Sequence, residues 1–419
     1  MHILYIHQYF NTPEASGGTR SYEMARRFVA AGHRVTMLTS CGRPGFPVPR
    51  GHRRGPVRTA VAGIEVLAVQ APYANEMGYA RRIASFAEFV VKAAAVSRQL
   101  DAVDVVFATS TPLTVAIPAK AAKGRHRCPL VFEVRDLWPE APIAMGALRD
   151  PLSRAAARWL ERWAYRNSAH VVALSPPMAD GVARTGYPRE RISVVPNSCD
   201  LDLFGSGRAE RFLTMYPQFA GRRLVVYAGT MGRVNGAEYL ADIAAHLLHA
   251  NDIRFAMIGT GGRRAVVHER ASALGVLDRN LWIFDPLPKA EMPHVLQAAS
   301  VSCSLTIDNP VTRANSANKV FDALAAGRPV LINHEGWLAD FIRDTGCGLV
   351  VPPADALTAA RMLRDFLSDE ERVACAGAAA LRLAKERFSR DLLADDLRLV
   401  LERAFAEAHS GRVERHGRS

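Results

Sequence analysis

The chain has 419 residues, 49% hydrophobic and 22% charged, a globular balance that excludes a wholly disordered, collagenous or fibrous protein. At about 100–200 residues per domain, two or three domains are expected. The formal charge is +12 and only 6 of the 53 basic residues are lysine. That excess admits two origins: genome composition, or work near phosphates and anionic lipid, which arginine binds well.

Six cysteines (Cys41, Cys128, Cys199, Cys303, Cys347 and Cys375) stand singly without a CxxC pair. A zinc site or disulfide framework is therefore not expected, and a reducing cytoplasmic compartment fits. The opening MHILYIHQYF reads as a first strand rather than a signal peptide. No uncharged apolar run reaches the roughly 18 residues of a membrane span.

Strand-like and helix-like segments then alternate. His2–Ile6 predicts a strand, and Gly17 and Gly18 open a helix running to about Ala31 with Gly32 as its cap. Residues 35–39 predict a second strand, 42–60 a loop rich in Arg, Gly and Pro, and 61–69 a third strand. Further strands are predicted at 103–108, Leu130–Val134, 171–174 and 194–196, with helices at 78–98, 112–122 and 152–167. A stretch of little periodicity follows at 197–220. The pattern restarts with strands at 224–228, 255–258, Leu281–Phe284, 301–305, Val330–Ile332 and 348–351. Helices are expected at 236–249, 263–274, 289–299, 318–326, 354–368, 370–387 and 390–408, before a frayed basic tail at 409–419. This is the βαβ rhythm of a mostly parallel sheet covered on both faces. It predicts two Rossmann-like halves, 1–200 and 205–385, facing a central cleft, with ligands at the C-terminal ends of the strands.

Neither GxGxxG nor GxxxxGK[ST] occurs in the expected places, which disfavours a nicotinamide dehydrogenase and a P-loop ATPase. Gly17 and Gly18 suit close backbone approach to an anion at a helix N-terminus, or simply a tight turn. FEVRDLWPE (132–140) puts Glu133, Arg135, Asp136 and Glu140 at a strand end, although Asp136 could equally cap a turn. VVYAGTMGRVNG (225–236) offers a glycine-rich anion loop with Arg233 as its cation, and IGTGG (258–262) adds Gly259 in a second such turn. The densest signal is ANSANKVFDALAAGRPVLI (314–332). There Asn315, Ser316, Asn318 and Lys319 precede or open a helix that could grip a diphosphate, and Asp322 could accept from sugar hydroxyls. An ordinary N-cap with an ion pair would look the same. The segments 78–99 and 149–167 interleave arginines with aromatics, as a lipid-docking helix or a basic solvent face would.

Residues 2–40, 131–140, 171–204, 225–236 and 314–336 together resemble the retaining glycosyltransferase family 4. VRDLWP and NKVFDALAAGRPVL resemble the subgroup of N-acetyl-L-fucosamine transferases of bacterial O-antigen and capsule assembly. The resemblance implies a GT-B fold whose last helix, 390–408, returns to the first domain. It also implies a UDP-sugar donor held by the second domain, with no cofactor or metal required. Gly17 and Gly18 would lie over the diphosphate, residues 282–288 with Pro286 and Leu287 would border the uracil, and Asp322 would hold the ribose. Four positions depart from the family pattern. Ala314 replaces the first acid of a pair, Thr230 and Asn235 replace a basic clamp, and Arg135 replaces a histidine. Arg233, Lys319 and Arg313 remain to neutralise the diphosphate.

The reading is retaining sugar transfer, with Gly18, Asp136, Arg233 and Lys319 as the catalytic set. A covalent route would need Asp136 or Glu133 as nucleophile and is not favoured. The expected acceptor is a polyprenyl-diphosphate-linked saccharide, met at the anionic inner membrane surface by a peripheral protein. The alternatives are a soluble small-molecule acceptor and a weakly active nucleotide-sugar-binding scaffold. Nucleic acid is not an expected partner, since no recognised motif for it occurs.

Overall fold

The computed structural model describes residues 1–15, 18–42, 46–48, 55–73 and 77–416. The chain divides into two units: Met1–Thr12, Thr19–Pro196 and Asp391–Ser419 form the first, and Pro13–Gly18 with Asn197–Arg390 the second.

In the first unit the elements run β1 (His2–Ile6), α1 (Arg20–Ala30), β2 (Arg34–Cys41), β3 (Val57–Val61), β4 (Ile64–Gln70), α2 (Tyr79–Arg98), β5 (Val105–Thr109), α3 (Ala116–His126), β6 (Leu130–Val134), α4 (Glu140–Ala144), α5 (Pro151–Arg166), β7 (His170–Ala173), α6 (Pro176–Arg184) and β8 (Ile192–Val194). Among the described residues the sheet has eight strands in the order β3-β4-β2-β1-β5-β6-β7-β8. Ile3 of β1 lies opposite Val35 on one side and Val105 on the other. Every residue of β1, β5, β6 and β7 is buried, as expected where helices cover both faces of a parallel sheet.

The hairpin at the sheet edge differs from the sequence reading. Residues 61–69 are not one strand, and part of the expected loop is ordered. Val57–Val61 pairs antiparallel with Ile64–Gln70 across a turn at Ala62 and Gly63, both with positive φ. An edge strand has one neighbour and faces water, so VRTAV keeps no apolar alternation to betray it.

The second unit contains α7 (Leu201–Gly205), α8 (Ala209–Met215), β9 (Arg223–Ala228), α9 (Tyr239–His246), β10 (Ile253–Ile258), α10 (Arg264–Ala273), β11 (Leu281–Phe284), α11 (Met292–Ala298), β12 (Val301–Ser304), α12 (Asn318–Ala325), β13 (Val330–Ile332), α13 (Trp337–Thr345), β14 (Gly348–Val350), α14 (Ala356–Ser368) and α15 (Glu370–Glu386). Its sheet is parallel throughout, in the order β11-β10-β9-β12-β13-β14. The core is continuous from Val225 and Tyr227 through Phe255 and Met257 to Leu363 and Phe366.

Residues 197–220, read as aperiodic, fold into α7 and α8. Asp200 caps α7 by accepting from the Leu203 amide at 3.1 Å. Buried Phe212 and Phe219 pack in parallel, 5.7 Å between centroids, and Phe219 meets Trp282 edge-on. Helices this short show barely one turn of periodicity, which hides them in the sequence.

The last helix, α16 (Arg390–His416), is longer than the 390–408 expected and takes in most of the segment read as a tail. From Asp391 it groups with the first unit, where Arg27 donates to Asp391 at 2.6 Å. The α/β class and two Rossmann-like units therefore stand as the alternation predicted. Among the described residues no helix is long and apolar enough to cross a membrane.

Candidate functional site

In the second unit, two glycine-bearing turns leave neighbouring strands and stay paired beyond the strand ends. The Gly229 amide donates to the Ile258 carbonyl at 2.9 Å, and the Met231 amide to the Thr260 carbonyl at 2.9 Å. Gly229 and Gly259 both have φ of 148°, a region side chains avoid. A Cβ on Gly259 would stand 2.0 Å from the Gly229 carbonyl oxygen. Glycine is thus the residue that lets these two turns lie against each other. Asn235 closes the first turn by accepting from the Gly232 amide at 3.2 Å, while Tyr227 donates to the Thr230 carbonyl at 2.7 Å. The two residues that break the family's basic clamp are thus turn formers here. Arg233 is exposed on the short 3₁₀ turn Arg233–Asn235.

Lys319, in the first turn of α12, lies against this backbone. A Cβ on Gly229 would come within 2.6 Å of its Cε, and its ammonium sits 5.0 Å from the Tyr227 ring centroid. Its side chain is partly accessible, yet the surrounding protein lowers its pKa to about 8, with Asp322 opposing that shift. At neutral pH it remains a cation held over a glycine turn.

Asp322, one turn further along α12, is paired with Lys289 at 2.6 Å. Lys289 also lies 4.8 Å from the Phe204 ring. Sequence reasoning missed Lys289; its rarity as a lysine just after the 282–288 loop was the available signal. Ser316 is buried and its carbonyl accepts from the Asn197 side chain, while the Asn315 carbonyl accepts from the Trp337 indole at 2.8 Å. Asn318 is exposed at the start of α12. Pro286 is exposed and Leu287 half-buried after β11, beside Asp285, which pairs with Arg264 at 2.9 Å. Gly18 is exposed and groups with this unit, whereas Gly17 lies outside the described residues. Gly229, Gly259, Lys319, Asp322 and Lys289 therefore form one neighbourhood. Ser316 is instead committed to local structure.

The first unit treats its strand-end charges differently. Glu133 is fully buried on β6. Arg20 donates to its Oε1 from Nε at 3.0 Å and from Nη2 at 2.8 Å, and Thr109 donates to its Oε2 at 2.5 Å. Arg20 also donates to the Val195 carbonyl at 2.9 Å. Glu133 is buried and holds three hydrogen bonds, which commits it to structure rather than to nucleophilic attack, and Arg20 is its unanticipated partner. Arg135 lies 3.4 Å from the His7 ring nitrogen, and its amide donates to Ser110 at 3.0 Å. Asp136 has an exposed surface, although desolvation by the protein around it pushes its carboxyl up to about 6 against the pull of Arg135. On either count it is ionised at neutral pH.

On α5, Trp159 is 64% exposed and stacks on Trp163 at 6.2 Å, with Leu152 80% exposed on the same helix. Arg158, Arg162, Arg166 and the two indoles line a hollow of about 460 Å³. Among the described residues, no group of three or more His, Cys, Asp or Glu side chains could hold a metal ion.

Residues 17–198 match the model of the glycosyl transferase 4-like domain, and residues 216–382 that of glycosyl transferases group 1. The chain is 26% identical over 240 residues to "Probable glycosyltransferase WbjE" of Pseudomonas aeruginosa, covering 56% of this chain and 59% of that protein. It is 28% identical over 230 residues to 2-deoxystreptamine N-acetyl-D-glucosaminyltransferase of Streptomyces fradiae, covering 53% of each. The chain thus spans little more than half the length of these relatives. Anabaena Alr3699/HepE, solved in complex with UDP and glucose, superposes with a TM-score of 0.69 at 17% identity, covering 96% of this chain and 99% of that one. That likeness places the fold in the GT-B class.

Proposed function

Because the chain belongs to the glycosyltransferases, with a 4-like first half and a group 1 second half, we propose that it transfers a sugar from a UDP-sugar to a small polar acceptor. The observation that carries this reading is the Lys319 ammonium held over the Gly229 turn, beside a Gly259 turn that admits no side chain. Such a place suits a diphosphate: backbone approaches closely, and a cation answers the charge that grows on the leaving phosphate. The UDP bound to the Anabaena neighbour supports the choice of nucleotide.

Lys319 and Arg233 neutralise the diphosphate, with the exposed Gly18 backbone facing it. Lys289 fixes Asp322, whose carboxylate meets the ribose hydroxyls, and Pro286 and Leu287 flank the base. The side-chain amides of Asn315 and Asn318 supply the contact to the transferred sugar that an acid at position 314 would supply in the wider family. The acceptor hydroxyl attacks from the face the diphosphate leaves, with retention, and the departing phosphate takes its proton. Asp136 orients the acceptor at the β6 end rather than attacking the anomeric carbon. The 2-deoxystreptamine relative favours a soluble aminocyclitol or sugar acceptor.

A second reading rests on α5. Its exposed Trp159 and Leu152 beside Arg158 and Arg162 favour a lipid-linked saccharide reached at an anionic membrane surface, as in the N-acetyl-L-fucosamine subgroup. Purified protein offered UDP- and GDP-sugars, N-acetylated ones included, with soluble and polyprenyl-diphosphate acceptors, tests both. Transfer to soluble acceptors without vesicles supports the first. Transfer confined to lipid-linked acceptors supports the second, and absence of both UDP binding and transfer overturns each.

A further inference from the structure

The turns described above lie at the C-terminal ends of the strands of the second unit. A separate cavity of about 620 Å³ lies at the opposite ends, where β9 begins at Arg223, β12 follows Ser300 and β13 follows Pro329. β9 runs for six residues from Arg223 to Ala228, roughly 17 Å end to end at the rise of a strand. This cavity is therefore not an extension of the candidate donor site. Its volume falls within the range that holds small metabolites, about 300–1,000 Å³.

Its wall is chemically two-sided. Leu367, Val373 and Leu381 give it an apolar side, from α14 and α15. Arg328 and Arg223 give it a cationic side, against one carboxylate, Glu370. Arg223 is paired with Asp252 at 2.7 Å, and Glu370 stands further from it at 3.8 Å, itself 89% exposed. Among the described residues Arg328 has no carboxylate partner and its buried Nε meets no acceptor, while its Nη2 donates to Gln297 Oε1 at 2.6 Å. The orientation of Gln297 is fixed, because its own Nε2 donates to the Ala326 carbonyl at 3.1 Å. Burial pushes the Arg328 guanidinium pKa downward, the direction expected for a cation with no counter-charge.

A half-buried guanidinium with no carboxylate beside it lacks a counter-charge. A carboxylate or phosphate in the cavity would supply one through a charge-assisted bond to this side chain. We propose that this cavity binds a small organic anion, its phosphate or carboxylate head on Arg328 and its apolar body against Leu367, Val373 and Leu381. Nothing in the proposed sugar transfer uses these residues, so the site would act as a second ligand site of the same unit.

The test is calorimetric titration of the full chain with phenyl phosphate and benzoate, which carry head and body. Inorganic phosphate serves as head alone and benzyl alcohol as body alone. At least one of the two complete probes should bind, about tenfold or more tightly than either part. Arg328→Gln should weaken that binding at least tenfold, the scale of one lost charge-assisted pair. Ala374→Trp, at an exposed α15 position lining the cavity, should block it by filling the space while leaving the thermal melt intact. Lys319→Ala should leave it unchanged. If Arg328→Gln does not fold, Ala374→Trp decides. The proposal is overturned if neither complete probe binds, if binding survives Ala374→Trp, or if Lys319→Ala removes it. Each of these results is independent of whether sugar transfer is detected.

Discussion

The strand ends of the two units put charge to opposite uses. In the first, Glu133 is sealed by Arg20 and Thr109, so a carboxylate placed where enzymes keep reactive groups is fully consumed by structure. In the second, Lys319 is held by packing on Gly229 and the Tyr227 ring, and the pull of Asp322 only partly offsets its desolvation. A saturated buried pair rigidifies its surroundings, whereas a desolvated cation over bare backbone remains available to a ligand. Position at a strand end therefore does not separate a working residue from a structural one; the partners do.

That contrast can be broken most directly at Arg20. Arg20→Met should destabilise the protein by about 3–5 kcal/mol, the cost of leaving a buried charge unpaired, read by urea unfolding. An unchanged midpoint would mean that Glu133 is not held by this pair. Lys319→Ala should do the reverse. Unfolding should move little, while kcat/KM for the donor falls about 10²- to 10³-fold, the loss typical of a group that stabilises the leaving charge. Gly259→Ala lies between, because its Cβ would collide with the Gly229 carbonyl. It should cost about 1–3 kcal/mol of stability, with donor affinity lowered as well.

The pH dependence sharpens the comparison more gently. Donor kcat/KM should decline above pH of about 8 as Lys319 loses its proton, and Lys319→Arg should remove that decline. The sign for stability is opposite. Above about pH 8 and up to the ordinary lysine range, the unfolded chain binds the proton that the folded one has lost. This group's contribution to stability therefore rises with pH across that window. The smallest effect is expected at the surface of α5. Trp159→Ala should change stability by under about 0.5 kcal/mol. It should reduce binding to anionic vesicles only if the lipid-linked reading holds.

Much of the fold could be read from sequence because parallel strands buried on both faces leave dense apolar runs, as at Leu130–Val134 and Val330–Ile332. The edge strand Val57–Val61 and the short helices α7 and α8 could not be read, for lack of any period to detect. For the candidate site, the glycine turns and the Asn315–Asp322 segment were visible as motifs. Their partners were not: Arg20 meets Glu133 from 113 positions away, and Lys289 meets Asp322 from 33.

The opening count of two or three domains and a charge of +12 resolves along the same line. Local sequence determined the two α/β halves, their strand order in the chain and the loops that carry glycine and lysine, because periodicity and turn chemistry act over a few residues. Tertiary structure alone decided what each cation does. Arg20 is spent on a buried carboxylate, Lys289 on Asp322, and Lys319 is left over a glycine turn. A charge acquires its role from whatever the folded chain brings within a few ångströms of it, and sequence neighbours do not determine that.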